Sequence, residues 1–421
     1  MTLCVTFTNA LRHRQGSPRR PRLLEAVMSN RLRVALAVES SRCFGRDLLA
    51  GIAAYSHAHG PWSLLHQERS IDDPVPPLLK RWRPQGVIAR IVDGHCGRRL
   101  RRMGVPVVDL LNVVSYPEVP RVLWNSTMIS RMAAEHLLDR GFRHFGFVGY
   151  HGLKFSDERR RALCEYLAGK GLSTQVFEEH GVRHAIGQCE VDSATPRQIA
   201  RLGVWLSGLP KPIGLMACND VRARQALVAC REREIPVPDA VAVMGVDNDV
   251  VLCQLCSPPL TSINPASQRI GYEAASLLHR MIEGDRPATH DLLIDPAGVV
   301  ARQSTDLLAI ADPVVIKVVR YLREHACEGV TPADLVSQFQ VSRSTIERWF
   351  TKELGRSPSE EIARVKLERV KDLLATTNLT LERITRLAGY SHEESMYRAF
   401  RQAVGQTPGE YRISRNLGNS K

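Results

Sequence analysis

Two groups of residues in this chain of 421 have types and spacing suited to chemistry. The first is a set of hydrogen-bonding side chains that follow short apolar runs. Glu39-Ser40-Ser41 follows Val34–Val38, Arg90 follows Gly86–Ala89, Asn219-Asp220 lies just past Ile213–Ala217, and Asp247-Asn248 follows Val241–Val246; Asn125 sits in a similar setting. Carboxylate, amide and guanidinium groups each offer paired donors or acceptors, which suits neighbouring hydroxyls of a small polyhydroxy ligand. Asn and Asp at such positions also cap the helix that comes next, so Asp220 and Asp247 each carry two readings, ligand or cap. The second group is Arg343, Ser344, Glu347 and Arg348, which share one side of a helix whose other side carries Ile346, Trp349 and Phe350. Outward Arg, Ser and Glu on one helical face suit the base edges and phosphates of DNA. Arg348 can serve a base or a phosphate.

Other chemistries find no counterpart. A glycine-rich phosphate loop follows none of the apolar runs, and Gly146…Gly149 lacks the dinucleotide spacing. Neither a nucleophile elbow nor a zinc-type histidine pair occurs. An acid–base enzyme would have only Glu39, Asp220 and Asp247 to draw on, so we expect no enzyme, no catalytic residues, no cofactor and no metal. Ten cysteines are scattered, with one close pair, Cys253 and Cys256, and without a second pair to complete a zinc site. They read as buried thiols of a reducing compartment, or alternatively as a redox switch.

The elements that must position the first group are legible as an alternation. Apolar runs at Val34–Val38, Gly86–Ala89, Val105–Leu110, Phe145–Val148, Ile213–Ala217 and Val241–Val246 predict strands. Helical periodicity marks Leu48–Tyr55, Met132–Leu138, Arg160–Leu167 and Arg222–Arg231 between them. This predicts an α/β domain, a mostly parallel sheet wrapped by helices. About 270 residues of this kind exceed one comfortable core, so two similar lobes are expected. In such sheets ligands sit beyond the carboxyl ends of the strands, where the first group falls.

The second group lies in a duplicated tail. Phe350, Gly355 and Pro358 recur as Phe400, Gly405 and Pro408, an offset of 50 residues, and Ile346, Arg348 and Glu360 recur as Met396, Arg398 and Glu410. A fixed period marks a repeated supersecondary unit. In the first copy Thr331-Pro332 opens a helix with Leu335, Val336 and Phe339 inward; Gln340-Val341 makes the turn, and Ser342 caps the next helix. Gly355 suits a left-handed C-terminal cap. Ser357-Pro358-Ser359-Glu360 is a capping box that opens a long helix, after which Asn378 or Thr380 starts the second copy, with Ile384, Leu387 and Ala388 inward. Each copy reads as helix-turn-helix, giving an all-α C-terminal domain. Two such helices held roughly 34 Å apart would enter successive turns of one major groove.

Net charge is +13, unevenly placed. Residues 1–33 hold seven arginines against one Glu, 34–312 hold 32 basic and 30 acidic groups, and the tail from 313 holds 18 and 13. The first 30 residues mix Arg12, Arg14, Arg19, Arg20 and Arg22 with Gly16, Pro18 and Pro21, a composition unsuited to a packed core. They are expected to be a disordered basic arm, or upstream sequence with Met28 as the start. No run of 18 apolar residues is present, so no membrane span is expected.

Residues from about 313 to 412 resemble the AraC/XylS-type DNA-binding domain, on Ser342, Ile346, Arg348, Phe350, Gly355 and Pro358, then Ile384, Gly389-Tyr390, Phe400, Gly405, Pro408 and Tyr411-Arg412. By position the resemblance implies base contacts from Ser344, Glu347 and Arg348, and from Glu393, Glu394 and Arg398. Carboxylates at 393 and 394 repel phosphate, which makes the second unit the weaker reader. Asn219-Asp220 and Gly245-Val246-Asp247 are similar to the sugar-cleft motifs of LacI-type regulators and periplasmic sugar-binding proteins, and Arg159 matches their cleft arginine. The usual N-terminal reader of LacI-type regulators is absent. The combination, over about 32 to 414, resembles the xylose-responsive regulators, and Glu39, Ser41 and Phe44 are then the first-lobe cleft residues. It implies a cytoplasmic, sugar-responsive transcription activator: sensor 31–304, linker 305–312, DNA-binding domain 313–415. A pentose such as xylose is the implied effector, promoter DNA and RNA polymerase the partners, and a homodimer paired through the first lobe the assembly. A different sugar, or a sugar-binding module without transcriptional activity, are the alternatives.

Overall fold

The computed structural model describes residues 31–70, 73–74, 81–180, 194–285, 291–306 and 312–416. The basic arm expected over 1–30 lies outside the described residues.

Two six-stranded sheets make the α/β part. The first has the order β11-β5-β4-β3-β1-β2, from β1 (Arg33–Ala37), β2 (Ser63–His66), β3 (Gly86–Ala89), β4 (Val107–Asp109), β5 (Arg121–Trp124) and β11 (Asp291–Ile294), all parallel. The second has the order β12-β10-β9-β8-β6-β7, from β6 (His144–Tyr150), β7 (Thr174–Glu179), β8 (Ile213–Ala217), β9 (Val241–Val246), β10 (Thr261–Asn264) and β12 (Gly298–Val300). Among the described residues of this sheet, only β12 runs antiparallel to its neighbour. Sequence periodicity recovers the central strands, which are buried on both faces and read as apolar runs. It misses β2, β5, β7, β10, β11 and β12. Four of these, β2, β7, β11 and β12, lie at sheet edges, and segments such as Ser63–His66, Thr174–Glu179 and Asp291–Ile294 carry polar or exposed residues there.

Helices cover both sheets: α1 (Cys43–Ala58), α2 (Gly94–Arg101), α3 (Ser126–Leu138), α4 (Lys154–Ala168), α5 (Pro196–Ser207), α6 (Asp220–Glu232), α7 (Val250–Leu255) and α8 (Ser267–Ile282). The chain passes between lobes three times: after β5 into α3, which packs on α4; after β10 into α8, which packs on α1; and between β11 and β12. These crossings are stitched together. Asn125 N–H donates to Ile294 O (2.8 Å), Asn125 Nδ2 donates to Asp295 Oδ1 (2.8 Å), and Ala297 N–H donates to Asn264 O (2.8 Å).

The tail is helical: α9 (Pro313–His325), α10 (Pro332–Phe339), α11 (Arg343–Leu354), α12 (Pro358–Thr376), α13 (Leu381–Leu387), α14 (Glu393–Val404) and α15 (Pro408–Asn416). Thr331 and Ser357 close capping boxes with Asp334 and Glu360, Ser342 and Thr380 cap α11 and α13, and Gly355 and Gly405 end α11 and α14 at φ +71° and +77°. Two separate cores result. Val315, Leu322, Leu335, Ile346, Phe350 and Ile362 form one; Val370, Leu374, Ile384, Met396, Phe400 and Tyr411 form the other. Helix α12 contributes to both, and the residues related by the 50-residue offset occupy matching places.

Candidate functional site

The carboxyl ends of the central strands of both sheets converge on a cleft. On the first lobe, Glu39, two residues past the end of β1, is buried and pairs with Arg90, which follows β3. The Arg90 guanidinium lies over the Phe44 ring at 5.1 Å, and Phe44 meets Trp124 edge-on at 5.4 Å. Aromatic faces and edges of this kind suit the C–H faces of a sugar ring. Ser41 is exposed, with its carbonyl accepting from Arg46 Nη1 (2.9 Å). Below the rim, Asp109 is buried, and its Oδ1 accepts from the Ile91 and Leu111 N–H groups (2.9 and 3.0 Å), fixing the loops after β3 and β4. Burial pushes its carboxyl up to about 8, so it is largely protonated at neutral pH.

The second lobe presents Arg159 and Asp247. Arg159 is 2 % exposed; its guanidinium lies 5.6 Å from both the Trp124 and Phe155 rings, and Nη1 donates to Cys218 O. Its Nε is buried without a hydrogen-bond partner among the described residues. An unpaired buried donor of this kind calls for a ligand acceptor or water. Burial lowers its pKa, opposed foremost by the Asp247 charge. Asp247 is half-buried, and burial pushes its carboxyl up to about 6, against the pull of Arg159 and of Arg42 and Arg90 from the opposite lobe. Asp247 and Asn248 stand at φ +115° and +50°. Two successive non-glycine residues in this region store backbone strain, as functional loops often do.

The remaining expected ligands each make hydrogen bonds within the second lobe. Asp220 accepts from Ser262 Oγ (2.5 Å) on Oδ1, and from Asp249 N–H (2.9 Å) and Cys253 Sγ (3.5 Å) on Oδ2. These bonds tie Asp220 to the strained loop. Burial and the neighbouring Asp247 charge raise its pKa well above the carboxylate range. A Cβ at Gly245 would overlap Asp220, which is why glycine stands two residues before Asp247. Asn219 Oδ1 caps α6 through Arg222 N–H (2.9 Å), and Asn248 Oδ1 accepts from Arg302 Nη2 (2.9 Å), turned toward β10. Cys253 and Cys256 are free, buried thiols with raised pKa, the former beside Asp220. Sequence reasoning did not find Trp124, Phe155 or Arg42. The signal available was an aromatic residue next to a polar strand end, Trp124-Asn125, and one a helical turn before Arg159.

At the other end, Arg343, Ser344, Glu347 and Arg348 are all exposed on α11, while Ile346 and Phe350 are buried. Arg343 Nε donates to Glu347 Oε1 (3.0 Å), an exposed pair that DNA can displace. On α14 Glu393, Glu394 and Arg398 are exposed. His392 is the N-cap of α14, and it makes no side-chain cap bond. Among the described residues no helix is long and apolar enough to cross a membrane.

Residues 134–305 match the periplasmic binding protein-like domain family, and residues 335–414 match a helix-turn-helix domain family. The xylose operon regulatory protein of Escherichia coli (strain K12) is 30% identical over 396 residues, covering 92% of this chain and 98% of that protein. Its counterpart in Haemophilus influenzae is 28% identical over 391 residues, covering 91% and 98%. The solved structure of a xylose-binding transcription activator aligns with 28% identity and a TM-score of 0.59, over 92% of this chain and 99% of that one. A periplasmic binding protein/LacI transcriptional regulator from Alkaliphilus metalliredigens, complexed with D-xylulofuranose, shares the two-lobed fold at 20% identity and a TM-score of 0.52, over 65% of this chain and 98% of that one.

Proposed function

Since this chain belongs to the xylose operon regulatory protein family of transcription regulators, we propose that it controls a promoter in response to a pentose such as xylose, bound between the lobes of residues 31–304. The observation that carries this reading is the convergence of Arg159 and Asp247 with Phe44, Trp124 and Arg90 where the chain crosses three times between the lobes, on one chain with two helix-turn-helix units. Glu39, Arg90, Arg159 and Asp247 are the polar ligands, and Phe44 and Trp124 the stacking surface. Closure around the sugar shifts the equilibrium only through tighter binding to the closed state. Through the link at 305–312 it repositions the reader at 313–415.

Arg343, Ser344, Glu347 and Arg348 read the first half of the operator, and Glu393, Glu394 and Arg398 the second, more weakly. The regulator acts in the cytoplasm as a homodimer paired through the first lobe and activates by contact with RNA polymerase. It is not an enzyme. Calorimetry against a panel of D-xylose, L-arabinose, D-ribose, D-glucose and D-galactose tests the effector. Anisotropy of labelled duplexes with and without the bound sugar tests the response. Micromolar binding of a pentose with a sugar-dependent change in DNA affinity supports the reading; tighter binding of a hexose replaces the effector, and no change in DNA affinity leaves a sugar-binding module.

A further inference from the structure

Helix α3 touches the cleft at its start and the DNA reader at its end. Its first turn is the hinge: Asn125 Oδ1 caps it through Met128 N–H (3.1 Å) and Asn125 Nδ2 holds Asp295. Ser126 Oγ accepts from Trp124 Nε1 (3.1 Å) and donates to Glu158 Oε2 (3.0 Å), so the first residue of α3 is bonded to a cleft aromatic. One turn on, Ser130 Oγ donates to the carbonyl oxygen of Arg159 (2.9 Å). Thirteen residues of α-helix span about 20 Å, a rigid strut that moves with the second lobe.

The far end of this strut carries Asp139. Its Oδ1 accepts from Arg356 Nη1 (2.8 Å), its Oδ2 from Arg364 Nη1 (3.2 Å), and its backbone carbonyl from Arg323 Nη2. These arginines come from α9, the α11–α12 turn and α12 of the reader, and all three also pair with Glu361, which is fully buried. Within the reader, three guanidinium groups thus surround one carboxylate. Asp139 supplies a second carboxylate from the sensor, which makes this face of the reader electrostatically complementary to the end of α3. Arg143 Nη2 adds a bond to Glu353 O at the end of α11 (2.7 Å). His136, one turn before Asp139, and Arg140, the residue after it, hold Thr305 at the start of the link, through Nε2 to Oγ1 (2.9 Å) and Nε to O (2.7 Å). These contacts on the reader fall on the first helix-turn-helix unit and the helices that support it.

We propose that Asp139 is a positioning residue that transmits effector binding to the first DNA-reading unit, by fixing the end of α3 to the Arg323–Arg356–Arg364 cluster. The proposal rests on the sugar-responsive reading above. Closure about the Asn125 hinge swings α3 with the second lobe, and the Asp139 contact obliges the first unit to follow. Released from it, the reader keeps the Arg143 bond to Glu353 O, and its orientation is no longer set by the charge of Asp139.

The test uses full-length protein, D-xylose and the other panel sugars as effectors, and a duplex selected by the parent protein from random sequence. Asp139→Asn keeps the shape and removes the charge. It should leave sugar affinity within twofold of the parent and leave the circular-dichroism spectrum unchanged, while the ratio of DNA affinities with and without sugar falls at least fivefold toward one. Asp139→Glu, which restores the charge, should recover most of that ratio. A parent that responds to sugar and an Asp139→Asn variant that responds equally would overturn the latch alone. A parent that responds to none of the sugars overturns the functional reading and the latch with it. Loss of sugar affinity in Asp139→Asn overturns the latch too, since it places the residue in the cleft's own support.

Discussion

Asp247→Asn tests the cleft through two opposed effects of one substitution. The Asp247 carboxyl is held at about 6, against an ordinary 3.8, with burial as the leading cause and the Arg159 charge already acting against it. A raised carboxyl pKa means the folded state binds the proton more tightly than the unfolded chain. Stability from this group is therefore fully present below about pH 4 and is lost as pH rises through about 6. At neutral pH the loss is about 3 kcal/mol, at about 1.4 kcal/mol for each pH interval between the two values. Asparagine has the same shape, tolerates the positive φ that this position adopts, and carries no charge to bury. Asp247→Asn should therefore stabilise the sugar-free sensor by up to about 3 kcal/mol above pH 6 and by nothing at pH 4.

The same change replaces an ionised acceptor by an amide. Charge-assisted hydrogen bonds contribute roughly 1.5–3 kcal/mol each, so loss of one should weaken sugar binding about tenfold to more than a hundredfold. In the parent, sugar affinity should fall as pH drops through about 6 and Asp247 is protonated, whereas the variant should show no such dependence. Urea melts at pH 4 and pH 8, followed by tryptophan fluorescence, and calorimetry at both pH values give the two numbers. A destabilised variant with unchanged sugar affinity would make Asp247 a structural residue of the loop and not a ligand.

Further predictions follow from the same geometry. Arg348→Ala should cost about 1–3 kcal/mol of operator binding and relax preference at one base pair; equal weakening on every sequence, measured by anisotropy on single-substituted duplexes, would make Arg348 a phosphate contact. Glu393→Gln with Glu394→Gln removes two exposed carboxylates from α14 and should tighten DNA binding severalfold at low salt, with the gain fading as salt screens it; unchanged binding would place α14 away from the backbone. Asp109→Asn keeps the acceptor for Ile91 and Leu111. The parent carboxyl at about 8 loses stability as pH rises from about 4 through 8, so thermal melts should show the variant's advantage growing over that window. An advantage that is the same at pH 4 would mean a packing effect instead.

The sequence alone determined the strands buried on both faces, because such strands are continuous apolar runs whatever surrounds them. Gly86–Ala89, Ile213–Ala217 and Val241–Val246 are matched to the residue. It also determined the duplicated reader, since capping, buried and C-terminal glycine positions recur at a fixed offset and each is dictated within one or two turns of helix. Which polar residues face the cleft was not local. Asp220 and Asp247 sit in similar settings, an apolar run followed by an acid, yet the fold turns Asp220 onto Ser262 and Asp249 and leaves Asp247 before Arg159. Only the tertiary structure decides this, because Ser262 lies on β10, hydrogen-bonded beside β9. The meeting of Trp124 with Phe44 and Arg159, and of Asp139 with three arginines more than 180 residues away, likewise depends on chain crossings. Side-chain periodicity records whether a residue is buried but not what it is buried against.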